Sequence, residues 1–268
     1  MHTLKWSAFS ALIIVLCAYH SAQGGEIKHQ RGIELRGGYG LYLDMSDPNN
    51  FAEDFTGTSG YLQSEFSESL GSFSGGFSLL YKTRPYFGWH IGLNILSTDS
   101  ATATAVQGSQ VQTARVFMNA VEIFVTANYY WNLSPRINIH LGAGPAFYLS
   151  TLDREVTTET QSVYGESFYG AHGRTFGFTG GLGCEFFLSS AVSLKVGGGF
   201  RLAPISRFKY FRELVGPEGK YDQGEIAYWQ GTFDTFEADF SGAFVDIGLR
   251  IYFEPAAPWN EHGRKRTD

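Results

Sequence analysis

The chain has 268 residues, of which 43% are hydrophobic, 16% aromatic and 17% charged, and it contains 33 glycines. Its formal net charge of −6 gives no overall basic footprint of the kind that nucleic-acid binding requires. Beyond the first residues, no segment approaches the roughly 18 consecutive apolar residues of a membrane-spanning helix, so the apolar content must be spread over shorter elements.

The N-terminus has the build of a secretory signal. Lys5 precedes an apolar run from Ala8 to Ala18, and small or polar residues follow from Ser21 to Gly25. A run of about eleven residues is too short to span a bilayer. We therefore predict that residues 1–24 are a signal peptide, after whose removal Cys184 is the single cysteine and an intramolecular disulfide is excluded.

Eight stretches in which apolar and polar residues alternate follow the signal. The alternation predicts β-strands, because successive side chains of a strand point to opposite faces. Each stretch is close to the length of about ten residues that a tilted membrane strand needs. The stretches are residues 33–44, 73–83, 88–98, 117–131, 136–150, 176–188, 191–203 and 241–253.

One face of these strands is apolar and carries no charge, as a lipid-facing surface requires. An Arg or Lys at the bilayer midplane on such a face would cost about 2–4 kcal/mol. Aromatic residues gather at the strand ends and predict two interfacial girdles. The residues predicted to face lipid are Leu35, Tyr39, Leu41, Leu43, Phe77, Leu79, Tyr81, Trp89, Ile91, Leu93, Ile95, Val121, Ile123, Val125, Tyr129, Ile137, Ile139, Leu141, Leu182, Phe186, Leu188, Val192, Leu194 and Val196.

The connections between the stretches alternate strictly between short and long. Residues 84–87, 132–135 and 189–190 are tight links, whereas the other segments run to roughly twenty to forty residues, against a usual loop length of about five. This asymmetry is typical of a membrane barrel with turns at one end and loops at the other, and an even strand count places both chain ends beside the turns.

The last stretch carries a recognisable spacing of residues. Asp246, Gly248, Ile251 and Phe253 occupy, in order, the positions of a polar residue, a glycine and two hydrophobic residues separated by one. This pattern resembles the assembly signal of bacterial outer-membrane β-barrels, and residues 33–253 are similar in architecture to small barrels of the OmpA, OmpX, OmpW and porin-like group. Residues 254–268 then form a short periplasmic tail.

The resemblance implies an all-β fold: an eight-stranded antiparallel transmembrane up-and-down β-barrel with short periplasmic turns and long extracellular loops. It places the protein in the bacterial outer membrane, and it implies outer-membrane lipid, lipopolysaccharide and the barrel-assembly machinery as partners. The loops are rich in Ser, Thr, Gly and aromatic residues, so we expect any extracellular ligand to bind there.

The opposite face of the strands combines charged residues with glycines. An eight-stranded barrel has an interior just wide enough for side chains to fill, and a lone buried ion costs several kcal/mol. We therefore predict an ion-pair and hydrogen-bond network inside the barrel, with glycines making room for the long side chains. Its predicted members are Glu34, Arg36, Lys82, Glu122, His140, Glu185, Lys195, Arg201, Asp246 and Arg250.

Three alternatives to a structural or surface-interaction barrel have to be weighed. A soluble lipocalin-like barrel has the same strand order but keeps its apolar face inside, and periodicity alone does not distinguish inside from outside. The girdles, the asymmetric connections and the final-strand spacing favour the membrane. The second alternative is a small pore or a conduit for hydrophobic molecules, as in OmpW-like barrels.

The third alternative is an enzyme that modifies lipid A. It would need a nucleophile, a base and an orienting group within hydrogen-bond reach. The candidate constellations are His172 with Ser167 and Glu166 in a long loop, and His140 with Glu122 in the lumen. Neither carries a local motif of such enzymes, so we expect no catalytic residues, and we likewise expect no metal or cofactor.

Overall fold

The computed structural model describes residues 31–253, apart from residues 45, 47, 51–61, 70, 85, 161–162, 211–213, 217–218 and 227–234. The predicted signal peptide and the predicted tail lie outside the described residues. None of the described helices is long and apolar enough to cross a membrane. The described part contains fourteen strands, numbered β1 to β14 in chain order. Their bounds are β1 Arg31–Asp44, β2 Leu62–Ser67, β3 Gly71–Arg84, β4 Phe87–Thr98, β5 Ala101–Gln107, β6 Gln110–Ser134, β7 Ile137–Thr160, β8 Val163–Phe187, β9 Val192–Leu202, β10 Pro204–Ile205, β11 Phe208–Tyr210, β12 Leu214–Gly216, β13 Gly219–Tyr221 and β14 Ala238–Tyr252.

Eight of these strands form a closed antiparallel ring. The order around the ring is β1, β3, β4, β6, β7, β8, β9 and β14, and each strand pairs with the next. The ring closes where β14 pairs with β1, with Arg250 opposite Glu34 and Leu249 opposite Leu35. Closure leaves no unpaired backbone edge in the ring, which is the condition for a sheet to cross a bilayer. The predicted eight-stranded up-and-down barrel is confirmed.

The two ends of the ring differ as predicted. At the lower end, short links connect β3 to β4, β6 to β7 and β8 to β9. At the upper end, β6, β7 and β8 are longer than predicted, with 25, 24 and 25 residues, and only residues 161–162 separate β7 from β8. The long connections therefore consist largely of further β-structure.

We call this β-structure the upper sheet: β2, β5 and β11 together with the upper parts of β6, β7 and β8. β5 pairs with β6, and β2 adds to β5. On the other flank β11 pairs with β8, with Phe208 opposite Gly173. Two short elements complete the upper end, because β10 pairs with β14, and β12 pairs with β13.

The outside of the ring is a continuous apolar surface, which we call the belt. On β8 its outward face runs from Phe186 to Phe176, which spans about 25 Å at about 3.3 Å per residue and a tilt of about 40°. That span matches the apolar band of a membrane barrel. The exposed members of the belt include Leu35, Leu41, Phe77, Leu79, Ile91, Ile95, Ile123, Val125, Leu141, Leu149, Phe176, Phe178, Leu182, Val196, Phe200, Leu202, Val245, Ile247 and Leu249.

The inside of the ring has two parts. The lower lumen is filled by charged and polar side chains from all eight strands. Above it lies an apolar core, the upper core, built from inward residues of the ring and of the upper sheet. The buried members of the upper core are Leu96, Ala101, Ala103, Val116, Met118, Ala120, Phe124, Ala146, Tyr148, Leu152, Ala171, Ala203, Ile205, Phe208, Tyr210, Phe236, Ala238 and Phe240.

Candidate functional site in the barrel lumen

Arg250 is the central cation of the lower lumen and is fully buried. Its Nε donates to Glu34 Oε2 at 2.5 Å, because the closing register of β14 and β1 places the two residues opposite each other. Its Nη1 lies 3.2 Å from Glu185 Oε2, and its Nη2 lies 3.2 Å from His140 Nε2. One guanidinium therefore connects β14 to β1, β7 and β8. Such charge-assisted contacts offset the loss of hydration that burial imposes.

The floor of the lumen is built around Lys82 and Glu185. Lys82 Nζ lies 3.4 Å from Glu185 Oε2 and 4.3 Å from the centre of the Tyr130 ring, so both a carboxylate and an aromatic face stabilise the ammonium group. Glu185 also accepts hydrogen bonds from the hydroxyls of Ser193, at 2.6 Å, and Tyr252. Each buried ion thus has partners other than Arg250.

A second branch of the network rises from Glu34. Lys195 Nζ lies 2.8 Å from Asp246 Oδ2 and 3.6 Å from Glu34 Oε1. Arg36 Nη1 lies 3.9 Å from Glu34 Oε1 and 4.0 Å from Asp246 Oδ2. Two cations and two carboxylates therefore alternate across the seam between β9, β14 and β1.

The branch continues upward through neutral side chains to Glu122. Arg36 Nε donates to Asn94 Oδ1 at 2.8 Å, and Asn94 Nδ2 donates to Glu122 Oε2 at 2.5 Å. Tyr148 then donates its hydroxyl hydrogen to Glu122 Oε1 at 2.7 Å. Because Tyr148 also belongs to the upper core, this contact joins the two parts of the interior.

Glycines provide the space for these side chains. A Cβ atom on Gly142 would lie 2.0 Å from Asn128 Oδ1, and one on Gly183 would lie 2.4 Å from the His140 ring. Both distances are far below van der Waals contact. The lumen therefore requires glycine at positions 142 and 183, where the side chains of Asn128 and His140 pack against the backbone.

The structure brings most of the predicted network residues together. Eight of the ten are joined directly to one another: Glu34, Arg36, Lys82, His140, Glu185, Lys195, Asp246 and Arg250. Glu122 connects to them through Asn94. Arg201 is buried and lies 4.9 Å from the centre of the Phe244 ring, and it makes no ion pair with a described residue.

Several members of the network were missed by sequence reasoning because they carry no charge. They are Asn94, Tyr130, Tyr148, Ser193 and Tyr252. His90, which alternation places on the inward face with the charged residues, lies with its Nε2 2.6 Å from the Tyr130 hydroxyl. Their strand parity, which places them on the inward face, was the one available signal. Parity shows that a residue points inward but not which distant strand it contacts.

The histidine constellations considered for catalysis are not assembled. In the pairing of β6 with β7, His140 lies opposite Tyr130 and Glu122 lies opposite Tyr148, so eight residue positions separate them along the strands. His172 and Ser167 lie five positions apart on β8, which corresponds to about 16 Å of backbone. The His172 side chain is exposed. No group of His, Cys, Asp and Glu in the described part of the chain could hold a metal ion.

A small cavity lies beside the second branch of the network. The space open to the centre of a water molecule is about 50 Å³, enough for a few water molecules. Its polar lining includes Arg36, His90, Asn94, Asn128, His140, Lys195 and Asp246. The cavity is therefore a polar pocket within the network, large enough to hold water.

The upper core closes the interior above the network. Phe124, Tyr148 and Phe240 are at most 3% exposed, and the rings of Phe208 and Phe236 pack edge to face at 5.9 Å between centres. Arg154 is buried above them and donates to the Tyr210 hydroxyl at 2.8 Å. Apolar side chains thus fill the described part of the interior above the network.

The four residues of the predicted assembly signal lie at the lower part of β14 and just after it. Asp246 points into the lumen against Lys195, and Gly248 lies opposite Arg36. The Phe253 backbone N–H donates to the Arg31 carbonyl at 2.8 Å, and its side chain is exposed at the lower end of the belt. The role of all four residues in assembly, Ile251 included, remains a prediction.

The sequence matches the family model described as "Outer membrane protein beta-barrel domain" over residues 8–233. The chain belongs to this outer-membrane β-barrel family. It is accordingly a protein of the bacterial outer membrane, the belt faces lipid, the lower end with its short turns is periplasmic and the upper sheet is extracellular. Comparison with curated proteins gives no match.

Comparison with solved structures returns outer-membrane proteins at low sequence identity. OprG from Pseudomonas aeruginosa is 11% identical, with a TM-score of 0.41 over 87% of this chain and 100% of that one. Ail, the attachment invasion locus protein of Yersinia pestis, is 6% identical, with a TM-score of 0.35 over 85% and 100% of the chains. The N-terminal barrel domain of Pseudomonas aeruginosa OprF is 9% identical, with a TM-score of 0.29 over 84% and 100%.

Proposed function

We propose that this outer-membrane barrel is a sealed, non-enzymatic protein with a structural or surface-interaction role. The observation that carries the proposal is the filled interior: a buried ion-pair network in the lower lumen lies below a buried apolar core. Two seals of different chemistry therefore lie in series between the periplasm and the exterior.

The lower seal opposes ion flow through its geometry and its charge. Arg250 is 0% exposed between two carboxylates, and the cavity beside the network has space for a few water molecules. A passing ion would have to separate pairs whose partners lie 2.5 to 3.6 Å apart. Removing one partner of a buried pair costs about 3–5 kcal/mol, which is large compared with thermal energy.

The upper seal argues against the alternative of a conduit for hydrophobic molecules. Leu152 and Phe240 are fully buried, and the Phe240 ring packs edge to face on Tyr42 at 5.4 Å between centres. An apolar solute would have to displace packed side chains rather than enter an open cavity.

Among the described residues, the two histidine constellations considered for catalysis are not assembled, which supports the non-enzymatic part of the proposal. His140 already lies against Arg250, and His172 is exposed five positions from Ser167 on the same strand. The test is the mass spectrum of lipid A from cells that express the protein. We expect the number of acyl chains to be unchanged by expression, and a change that is lost in His140→Ala/His172→Ala would contradict the proposal.

The surface-interaction part of the proposal concerns the upper sheet and the belt. We include in it the predicted partners: outer-membrane lipid and lipopolysaccharide around the belt, the barrel-assembly machinery at the final strand, and an extracellular ligand at the sheet. The sheet supports the last of these because β6, β7 and β8 continue well above the belt and so present a rigid surface outside the membrane.

The decisive experiment is single-channel conductance of the refolded protein in a planar bilayer. We expect no discrete current steps from the wild-type protein. The double variant Arg250→Met/Phe240→Ala, which weakens both seals, should give steps, whereas Arg84→Met, at an exposed arginine, should stay silent. Regular steps from the wild-type protein would replace the sealed barrel with a pore, whatever the variants show.

A further inference from the structure

Four basic side chains form a compact block on the outside of the barrel. His172 and Arg174 lie on β8, Lys209 lies on β11, and Arg207 directly precedes β11. Lys209 pairs with His172, so the same register carried one pair further brings Arg207 opposite Arg174. At about 4.8 Å between strands and about 6.7 Å between alternate residues, the four Cα atoms lie within about 8 Å of one another.

All four side chains point away from the interior. They are exposed, whereas Ala171, Phe208 and Tyr210, which alternate with them along the strands, are buried in the upper core. We call these four residues the basic block. Because side chains alternate along a strand, the basic block lies on the same outward face as the belt.

The basic block begins where the belt ends. On the outward face of β8, Phe178 and Phe176 are followed directly by Arg174 and His172, and Phe176 is 82% exposed. Since the belt on β8 spans the thickness of the apolar band, Arg174 lies at the level of the headgroups of the outer leaflet. The same order recurs along the chain after β9, because the exposed Leu202 at the end of β9 is followed by Arg207 and by Lys209 on β11.

The charge of the basic block is not neutralised by the described residues. Within residues 31–253, apart from the gaps stated above, no ion pair joins its cations to a carboxylate. Asp153, on the outward face of β7, lies opposite Gly170, and Glu225 lies next to the bridge between Lys209 and Ile226. Other acids of the upper end lie on other strands or links, among them Asp44 on β1, Asp99 after β4 and Asp239 on β14 opposite Pro204.

We propose that His172, Arg174, Arg207 and Lys209 bind the phosphate groups of a lipopolysaccharide molecule in the outer leaflet, while Phe176 and Phe178 contact its acyl chains. Arginine guanidinium groups bind phosphate oxygens in a bidentate manner, and lysine adds a point charge. The ligand has to combine negative charge with an adjoining apolar part, because the basic block and the exposed phenylalanines are continuous on one face. Lipid A, with phosphates at its headgroup and acyl chains below, has that arrangement.

The test measures lipid A that remains bound to the folded full-length mature protein in phosphatidylcholine nanodiscs, by native mass spectrometry. The variant Arg174→Gln/Arg207→Gln/Lys209→Gln removes three charges from the basic block. Its matched control, Arg31→Gln/Arg84→Gln/Arg136→Gln, removes three arginines at the periplasmic end. We expect the first variant to lower lipid A binding at least about tenfold and the control to leave it unchanged.

Two further arms identify the ligand. Lipid A without phosphates should bind the wild-type protein no more tightly than intact lipid A binds the basic-block variant. Raising the salt concentration should weaken the binding of intact lipid A to the wild-type protein. Equal loss in both triple variants, or undiminished binding of dephosphorylated lipid A, would overturn the proposal. Displacement of lipid A by an equal concentration of inorganic pyrophosphate would also overturn it, because the site would then recognise soluble phosphate.

Discussion

The strands β6, β7 and β8 reverse the polarity of their two faces part-way along their length. On the lower part of β7, Leu141 points outward and His140 points inward, whereas on its upper part Asp153 points outward and Leu152 points inward. β8 shows the same reversal. On its lower part Leu182 points outward and Glu185 inward, whereas on its upper part His172 points outward and Ala171 inward. The backbone pairing continues through the change without a break.

The reversal shows that the medium outside the wall determines the composition inside it. Where lipid surrounds the ring, the outer face has to be apolar, and the polar residues of the strands are left to pair with one another inside. Where water surrounds the upper sheet, apolar residues gain by moving inward, as in any soluble protein. One continuous sheet therefore encloses two interiors of opposite chemistry.

The largest expected effect is in the lower lumen. Arg250→Met leaves Glu34 and Glu185 without their shared cation, and we expect the free energy of unfolding in lipid vesicles to fall by about 3–5 kcal/mol. Urea titration measures the change. Arg84→Met, at an exposed arginine on the same kind of strand, should change stability by about 0.5 kcal/mol or less. An equally small effect at both sites would mean that water solvates the lower lumen.

The next effect is in the upper core. Leu152→Ala removes a fully buried side chain among packed neighbours, so we expect a loss of about 2–5 kcal/mol. Leu141→Ala, on the same strand but facing lipid with 50% exposure, leaves no enclosed cavity and should cost about 0.5 kcal/mol. The same urea titration measures both variants. Similar costs would show that the upper core is not packed like the interior of a soluble domain.

The smallest effect distinguishes the two outer surfaces. Val196→Arg places a charge in the middle of the belt on β9 and should reduce folding into phosphatidylcholine vesicles by about 2–4 kcal/mol. Thr151→Arg, on the outward face of β7 just above the belt, should cost about 0–1 kcal/mol. Folding yields at increasing urea concentration give both values. A comparable cost at Thr151 would place the upper sheet inside the membrane.

The sequence predicted the ring well because lipid imposes a strict rule. A charge-free face such as Leu35, Leu79, Ile91 and Ile123 can be read from alternation alone, and the inward charges follow from parity. The predicted strand ends near 117, 150 and 176 fall close to the region where the polarity of the faces reverses on β6, β7 and β8. A strand predicted from a face of constant polarity therefore ends at the reversal, although the hydrogen-bonded strand continues beyond it.

The amino-acid sequence by itself determined the number of membrane strands, the alternation of short and long connections and which side chains face lipid, since all of these are local patterns enforced by the bilayer. Only the tertiary structure decided which inward residues of non-adjacent strands meet, because partners such as Arg250 and His140 lie 110 residues apart and are brought together by closure of the ring. Register likewise placed Lys209 beside His172, and packing joined Tyr148 to both interiors. Contacts of this kind depend on the pairing of whole strands, which no short stretch of sequence encodes.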